Sequence, residues 1–156
     1  MNSIEQRLLR LEDEAAIRSV VAKFADAAVV GDFMAFKTLW SDNGKWTIHE
    51  PFLMSAEGVE KIDEMLQMLR KGRTFFAQFV HSGVVHLNGD TATARWIMRE
   101  ASEGPGETYY NNYAIYIDAL QKTGDRWVFV QRDYHYMWVD TGAFPGKVFD
   151  LPPHLF

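Results

Sequence analysis

The sequence predicts an α+β domain: a strongly curved, cone-shaped antiparallel sheet with three helices on its N-terminal side, enclosing an apolar cavity. Three observations predict it. Apolar residues recur at three- and four-residue intervals early in the chain. From Phe75 onward, four long segments rich in β-branched and aromatic residues are separated by short Gly-containing turns. Helices followed by a run of strands place the helices on one side of an antiparallel sheet. A length of 156 residues fits a single domain, 1–156, with 140–156 as an irregular tail.

The first helix rests on Ile4, Leu8, Leu11, Ala15, Ile17, Val21, Phe24 and Ala28, with Gly31 as its stop. Asp32 caps a second, short helix over Phe33 to Trp40. Ser41 to Gly44 reads as a turn. Lys45 to His49 is then a short strand ended by Pro51. Ser55 caps a third helix with Val59, Ile62, Leu66 and Leu69 on one face, closed by Gly72. Strands follow at Phe75 to Leu87, Thr91 to Ser102, Thr108 to Lys122 and Arg126 to Val139. Their turns are Asn88-Gly89-Asp90, Gly104-Pro105-Gly106 and Thr123-Gly124-Asp125. A sheet curled this strongly needs bulges, which shift the alternation of faces by one residue.

Composition narrows the function. The chain is 47% hydrophobic and 24% charged, with a net charge of −5. That balance argues against nucleic acid, whose phosphates need a basic face. Aromatics make up 14%, including five Trp, enough to fill a core, line a cavity or cover a partner. The chain has no Cys, so thiol nucleophiles, disulfides and thiolate metal sites are ruled out. This fits a reducing cytoplasm. The charged N-terminal stretch is unlike a signal peptide, and no apolar run approaches the ~20 residues of a membrane span.

Five histidines are present. His81 and His86 are five apart on one strand and so point to opposite faces. No HExxH or two-His-one-carboxylate spacing occurs, so no metal is expected. No glycine-rich phosphate loop and no Gly-x-Ser-x-Gly elbow occurs either. No cofactor is expected, and general acid–base chemistry remains. His81 suits it through an unperturbed pKa of ~6.5. Glu100, on the other strand of the same hairpin, would orient the imidazole if both faced the cavity. The plainer alternative is a hydrogen-bonded core histidine and a solvated glutamate. Asp26, on the first helix, reads as a surface residue. Arg95 and Arg99 fall on the face opposite Trp96, Met98 and Glu100, an outer surface or subunit contact. Asn112 and Tyr116 share a face.

The order of several short runs resembles the SnoaL-like group of the nuclear transport factor two-like superfamily, which has a cystatin-like fold. The runs are Ala15-Ala16-Ile17-Arg18, Phe24-Ala25-Asp26-Ala27, Gly31-Asp32 and Leu39 to Ile48. Later come His81, Asn88 to Trp96, Tyr116-Ile117-Asp118 and Gly124 to Phe129. The resemblance implies enzymes that eliminate water or HCl from apolar ring substrates without a cofactor, through a helix Asp and a strand His. His81 matches that histidine. The helix position is Val29 here, and valine cannot charge an imidazole. Glu100 matches a strand position where one dehydratase of the family carries an aspartate.

The expected function is therefore a cofactor-independent lyase or isomerase with His81 as acid/base and Glu100 as its partner. Its apolar, cyclic substrate would be held by Trp40, Trp46, Phe52, Phe79, Trp96, Met98, Asn112, Tyr113 and Tyr116. The alternative, favoured by Val29, is a non-catalytic small-molecule-binding protein or the small subunit of a ring-hydroxylating oxygenase. A homodimer or homotrimer is expected through the outer sheet face or the tail Val148 to Phe156.

Overall fold

A computed structural model describes residues 3–144 and 146–150. Helix α1 spans Ile4–Val30. Ser3 starts it through a capping box: its Oγ accepts from the Gln6 N–H, and the Gln6 side chain accepts from the Ser3 N–H. Gly31 ends it at φ 79°, a left-handed conformation that favours glycine. The apolar stripe is buried only from Ile17 onward; Ile4, Leu8 and Leu11 stand exposed. Helix α2 is Phe33–Lys37, capped by the Asp32 carboxylate on the Ala35 N–H.

Strand β1 (Trp40–Ile48) and strand β2 (Met54–Glu57) precede helix α3 (Val59–Arg70). The long strands are β3 (Phe75–Asn88), β4 (Thr91–Gly104), β5 (Thr108–Thr123) and β6 (Arg126–Asp140), close to the expected bounds. They form one six-stranded sheet in the order β2-β1-β6-β5-β4-β3. No regular element follows Asp140 among the described residues; Pro145 and 151–156, part of the expected tail, lie outside them.

Three expectations are corrected. The sheet is mixed, because β1 runs parallel to β6. Ser41 to Gly44 is not a free turn but an irregularity inside β1, between Trp40 and Lys45. Ser55 caps no helix: it lies on β2, where its hydroxyl is 3.2 Å from that of Thr47, and α3 starts after Gly58.

The inner face of the sheet and the second half of α1 enclose an aromatic core. Phe24 packs edge-on against Trp46 at 5.5 Å, Tyr116 at 5.6 Å and Phe129 at 5.8 Å. Burying one such ring contributes on the order of 1.5–3 kcal/mol. Within this cluster sits an ion pair with no solvent exposure, Arg132 Nε to Asp118 Oδ1 at 3.1 Å. The guanidinium lies 3.8 Å from the Tyr116 ring centre and 4.1 Å from that of Phe24. Burial pushes the Asp118 carboxyl up, against the pull of Arg132 and the Trp96 indole.

β3 carries a bulge. Val80 pairs with Met98 and Ser82 with Ile97, so His81 is the extra residue. The strand bends, and beyond the bulge Gly83 lies directly under Trp96. A Cβ at Gly83 would fall inside that buried ring. Gly83→Ala is therefore expected to destabilise the fold by about 1–3 kcal/mol, the usual cost of overpacking; chemical denaturation measures it.

Candidate functional site

The register of β3 to β6 stacks inward side chains in cross-strand rows. One row is Gly83–Trp96–Tyr116–Tyr134, followed toward the cavity by Val80–Met98–Ala114–Tyr136. Next comes Gln78–Glu100–Asn112, and then Phe76–Ser102–Tyr110. Trp96 and Met98 are buried on the β4 side and do not line the cavity. Between the wide end of the sheet, β1 and α3 lies a cavity of about 550 Å³, within the range of small-molecule sites. Trp46, Tyr116 and Tyr134 form its floor, and Leu69, Arg73 and Phe76 one wall. Phe52, Glu107, Tyr109 and Thr141 lie at its mouth. There Phe52 meets Tyr136 edge-on at 5.7 Å, and the tail residue Phe144 meets Tyr109 at 5.4 Å.

One carboxyl group of the wall is inside this apolar space. Glu100 Oε2 accepts a 2.6 Å hydrogen bond from the Gln78 amide, itself buried. Burial pushes the Glu100 carboxyl above the ordinary carboxylate range. Gln78, the Tyr110 hydroxyl and the guanidinium groups of Arg73 and Arg70 pull it back only in part. Four phenols surround it. Burial pushes Tyr110, Tyr116, Tyr134 and Tyr136 all upward, so each remains a neutral O–H donor. Among the described residues the Trp46 indole N–H and the Tyr134 hydroxyl have no hydrogen-bond partner. The arrangement offers a carboxyl that can exchange a proton and neutral donors that can hold an oxygen, in a space poor in water.

The structure separates the sequence-expected residues into three groups. Trp46, Phe52, Glu100, Asn112 and Tyr116 line the cavity. Trp40, Trp96 and Met98 are buried core residues that do not reach it. His81, Phe79 and Tyr113 are exposed on the outer face of the sheet, with Ile97, Ile117 and Trp138. The expected His81–Glu100 pairing is thus corrected: the two side chains leave opposite faces, and Gln78 takes the place beside Glu100. His49, His86 and His135 do not line the cavity either, and His154 lies outside the described residues. Asp26 is exposed on α1, and Arg95 and Arg99 stand on the outer face as expected.

Sequence reasoning missed Gln78, Arg73, Tyr134 and Tyr136. Gln78 carried a usable signal, a polar residue between Phe76 and Val80 on the inward phase of its strand. The tyrosines of β6 carried none, since Tyr134 and Tyr136 look like ordinary strand aromatics. Among the described residues no group of three or more His, Asp or Glu side chains is placed to hold a metal ion. No described helix is long and apolar enough to cross a membrane.

Residues 9–133 match the profile of the SnoaL-like domain. No curated protein matches the chain in sequence. Several solved structures share its fold. The hexachlorocyclohexane dehydrochlorinase LinA-type3 of Novosphingobium barchaimii LL02 is 15% identical with a TM-score of 0.80, over 94% of this chain and 99% of its own. A protein of Novosphingobium aromaticivorans DSM 12444 assigned as a scytalone dehydratase is 13% identical with a TM-score of 0.77, over 87% and 91%. An NTF2-like protein with a cystatin-like fold from Novosphingobium aromaticivorans is 24% identical with a TM-score of 0.72, over 88% and 92%. At these identities the likeness is one of fold.

Proposed function

The chain belongs to the SnoaL-like domain family, and we propose from that premise that it is a cofactor-independent lyase or isomerase acting on a cyclic, largely apolar small molecule. Glu100 moves the proton. The observation that carries this reading is the Glu100 carboxyl, held by Gln78 in a cavity walled by aromatic rings, with its proton affinity raised by burial. A base of that kind is stronger than an exposed carboxylate. Two fold relatives bear the names of enzymes that remove HCl or water.

In the elimination, ionised Glu100 takes a proton from a ring carbon. The C–H electron pair forms the new C=C bond, and the leaving group departs from the neighbouring carbon with its own bonding pair. A leaving hydroxide takes the proton that Glu100 abstracted and goes as water, with a neutral phenol of the cavity such as Tyr134 donating a hydrogen bond to the departing oxygen; a halide leaves as the anion, and Glu100 gives its proton to solvent. In the isomerisation the proton on Glu100 returns to a different carbon.

The test is turnover of a panel of cyclic alcohols, ketones and halides, followed by mass spectrometry for loss of water or HX. Conversion of none of them, by a protein that binds ring compounds in the cavity, rejects the reading. His81→Ala separates the two candidate bases. Its ring is exposed on the outer face, so kcat/KM is expected to stay within about twofold of the wild type, and a loss beyond ten-fold returns the role to His81.

A second reading has its own support. Val29 leaves helix α1 without an acid at the position that the resemblance assigns to one. A binding protein needs none. Recovery of every bound ring compound chemically unchanged supports that reading.

A further inference from the structure

The cavity wall carries a guanidinium that no carboxylate touches among the described residues. Arg73 lines the cavity. Its Nε donates to the Leu69 carbonyl and its Nη1 to the Ser102 hydroxyl at 2.9 Å, with the guanidinium 4.9 Å over the Tyr110 ring. These contacts fix the plane of the group and leave Nη2 without a protein partner among the described residues. Arg70 lies beside it on α3. Its Nη2 donates to the Val29 carbonyl at 3.1 Å and its guanidinium covers the Phe76 ring at 4.7 Å. Arg70 Nε and Nη1 are buried without a hydrogen-bond partner among the described residues.

Neither arginine has a carboxylate within 4.0 Å among the described residues. Two acids face the same space. Glu100 is the nearer, but its Oε2 is engaged by the Gln78 amide and neither of its oxygens comes within 4.0 Å of an arginine nitrogen. Glu107 stands exposed at the mouth, where water screens it. Val29 contributes only its backbone oxygen. A cation drawn out of water without a counter-charge is costly, and a rigid guanidinium fork fits one planar oxyanion well.

We infer that the ligand of this cavity is a ring monoanion, a cyclic or aromatic carboxylate whose charged group sits against Arg73 while its ring lies among Phe76, Trp46 and the tyrosines. The inference rests on the cavity being the site, as proposed above, and it narrows the substrate from apolar ring compounds in general to ring acids. The carboxylate end would be held near the wide end of the cone. The ring would then project toward Glu100 and the floor, which leaves a ring carbon as the proton donor.

Binding of 2-naphthoate and of its neutral isostere 2-naphthamide, measured by calorimetry at pH 7.5, tests this in the wild type and in Arg73→Met. The acid is expected to bind the wild type at least ten-fold tighter than the amide. In Arg73→Met the two are expected to bind within about twofold of each other, with the amide unaffected. Where the variant fails to fold by circular dichroism, rising KCl in the wild type replaces it, and weakens the acid but not the amide. Equal binding of acid and amide to the wild type, a preference that survives Arg73→Met, or no binding of the acid at millimolar concentration each overturns the inference. The readout needs no turnover, so it stays distinct from the lyase reading: neutral rings converted without any preference for acids would remove the anion and keep the enzyme.

Discussion

Glu100→Gln is expected to lower kcat/KM by about 10²–10⁴-fold, the usual weight of a general acid or base, while the protein remains folded. The substitution keeps size and shape, and the amide oxygen can still accept from Gln78, so packing is preserved. What it removes is the ability to take a proton. The sign of the pH dependence follows from the same carboxyl. As a base it works only when ionised, and its pKa lies above the ordinary carboxylate range because burial disfavours the charge. Activity of the wild type is therefore expected to climb with rising pH through that raised pKa, later than an exposed glutamate would allow. The climbing limb disappears in Glu100→Gln. Steady-state kinetics across pH 4 to 9 on a converted ring compound checks both, and a variant within twofold of the wild type would remove Glu100 from the mechanism.

The second large effect concerns stability. Asp118→Ala leaves the Arg132 guanidinium wholly buried, with its charge uncompensated among Phe24, Tyr116 and Phe129. Breaking one half of a buried pair costs roughly 3–5 kcal/mol. At about 2–4 °C per kcal/mol for a domain of this size, Tm is expected to fall by on the order of 10 °C. The pair itself need not be strongly stabilising. Its contact is an ion pair lacking good hydrogen-bond geometry, and both carboxylate oxygens and all three guanidinium nitrogens have no hydrogen bond among the described residues. Removing both charges together, in Asp118→Leu with Arg132→Met, is accordingly expected to restore most of the loss. Urea denaturation of Asp118→Leu, Arg132→Met and the double variant closes the cycle. Additive losses would show that the charges do not act as a pair.

The parts of the fold set by local chemistry were legible. Gly31, the Asn88-Gly89-Asp90 turn and the Thr123-Gly124-Asp125 turn punctuate the chain where the structure turns. The long β-branched and aromatic runs between the later turns became β3 to β6. What was hidden depends on partners far away in sequence. β2 has only four residues, too few for a pattern, and exists because β1 lies beside it. The parallel union of β1 with β6 has no local signature.

The site divides the same way. Asn112, Tyr116 and Glu100 were found through strand phase. His81 was misplaced because the β3–β4 register slips in the middle of the hairpin. Counting back from Asn88 opposite Thr91 without interruption would set Glu100 against Phe79. The bulge moves it to Gln78, and no residue preference announces that. Trp40, Trp96 and Met98 looked like pocket lining because an apolar residue filling a core and one facing a cavity have the same composition.

The parallel seam between β1 and β6 also bears on how the molecule comes into being. Trp46 must find Arg132 across more than half the length of the polypeptide, so the fold depends on distant pairings that form slowly. On the ribosome, the first strand emerges long before its neighbour exists. Until Arg126–Asp140 has left the exit tunnel, Trp40 and Trp46 have no β6 to shelter them, and the nascent chain carries its stickiest residues in the open.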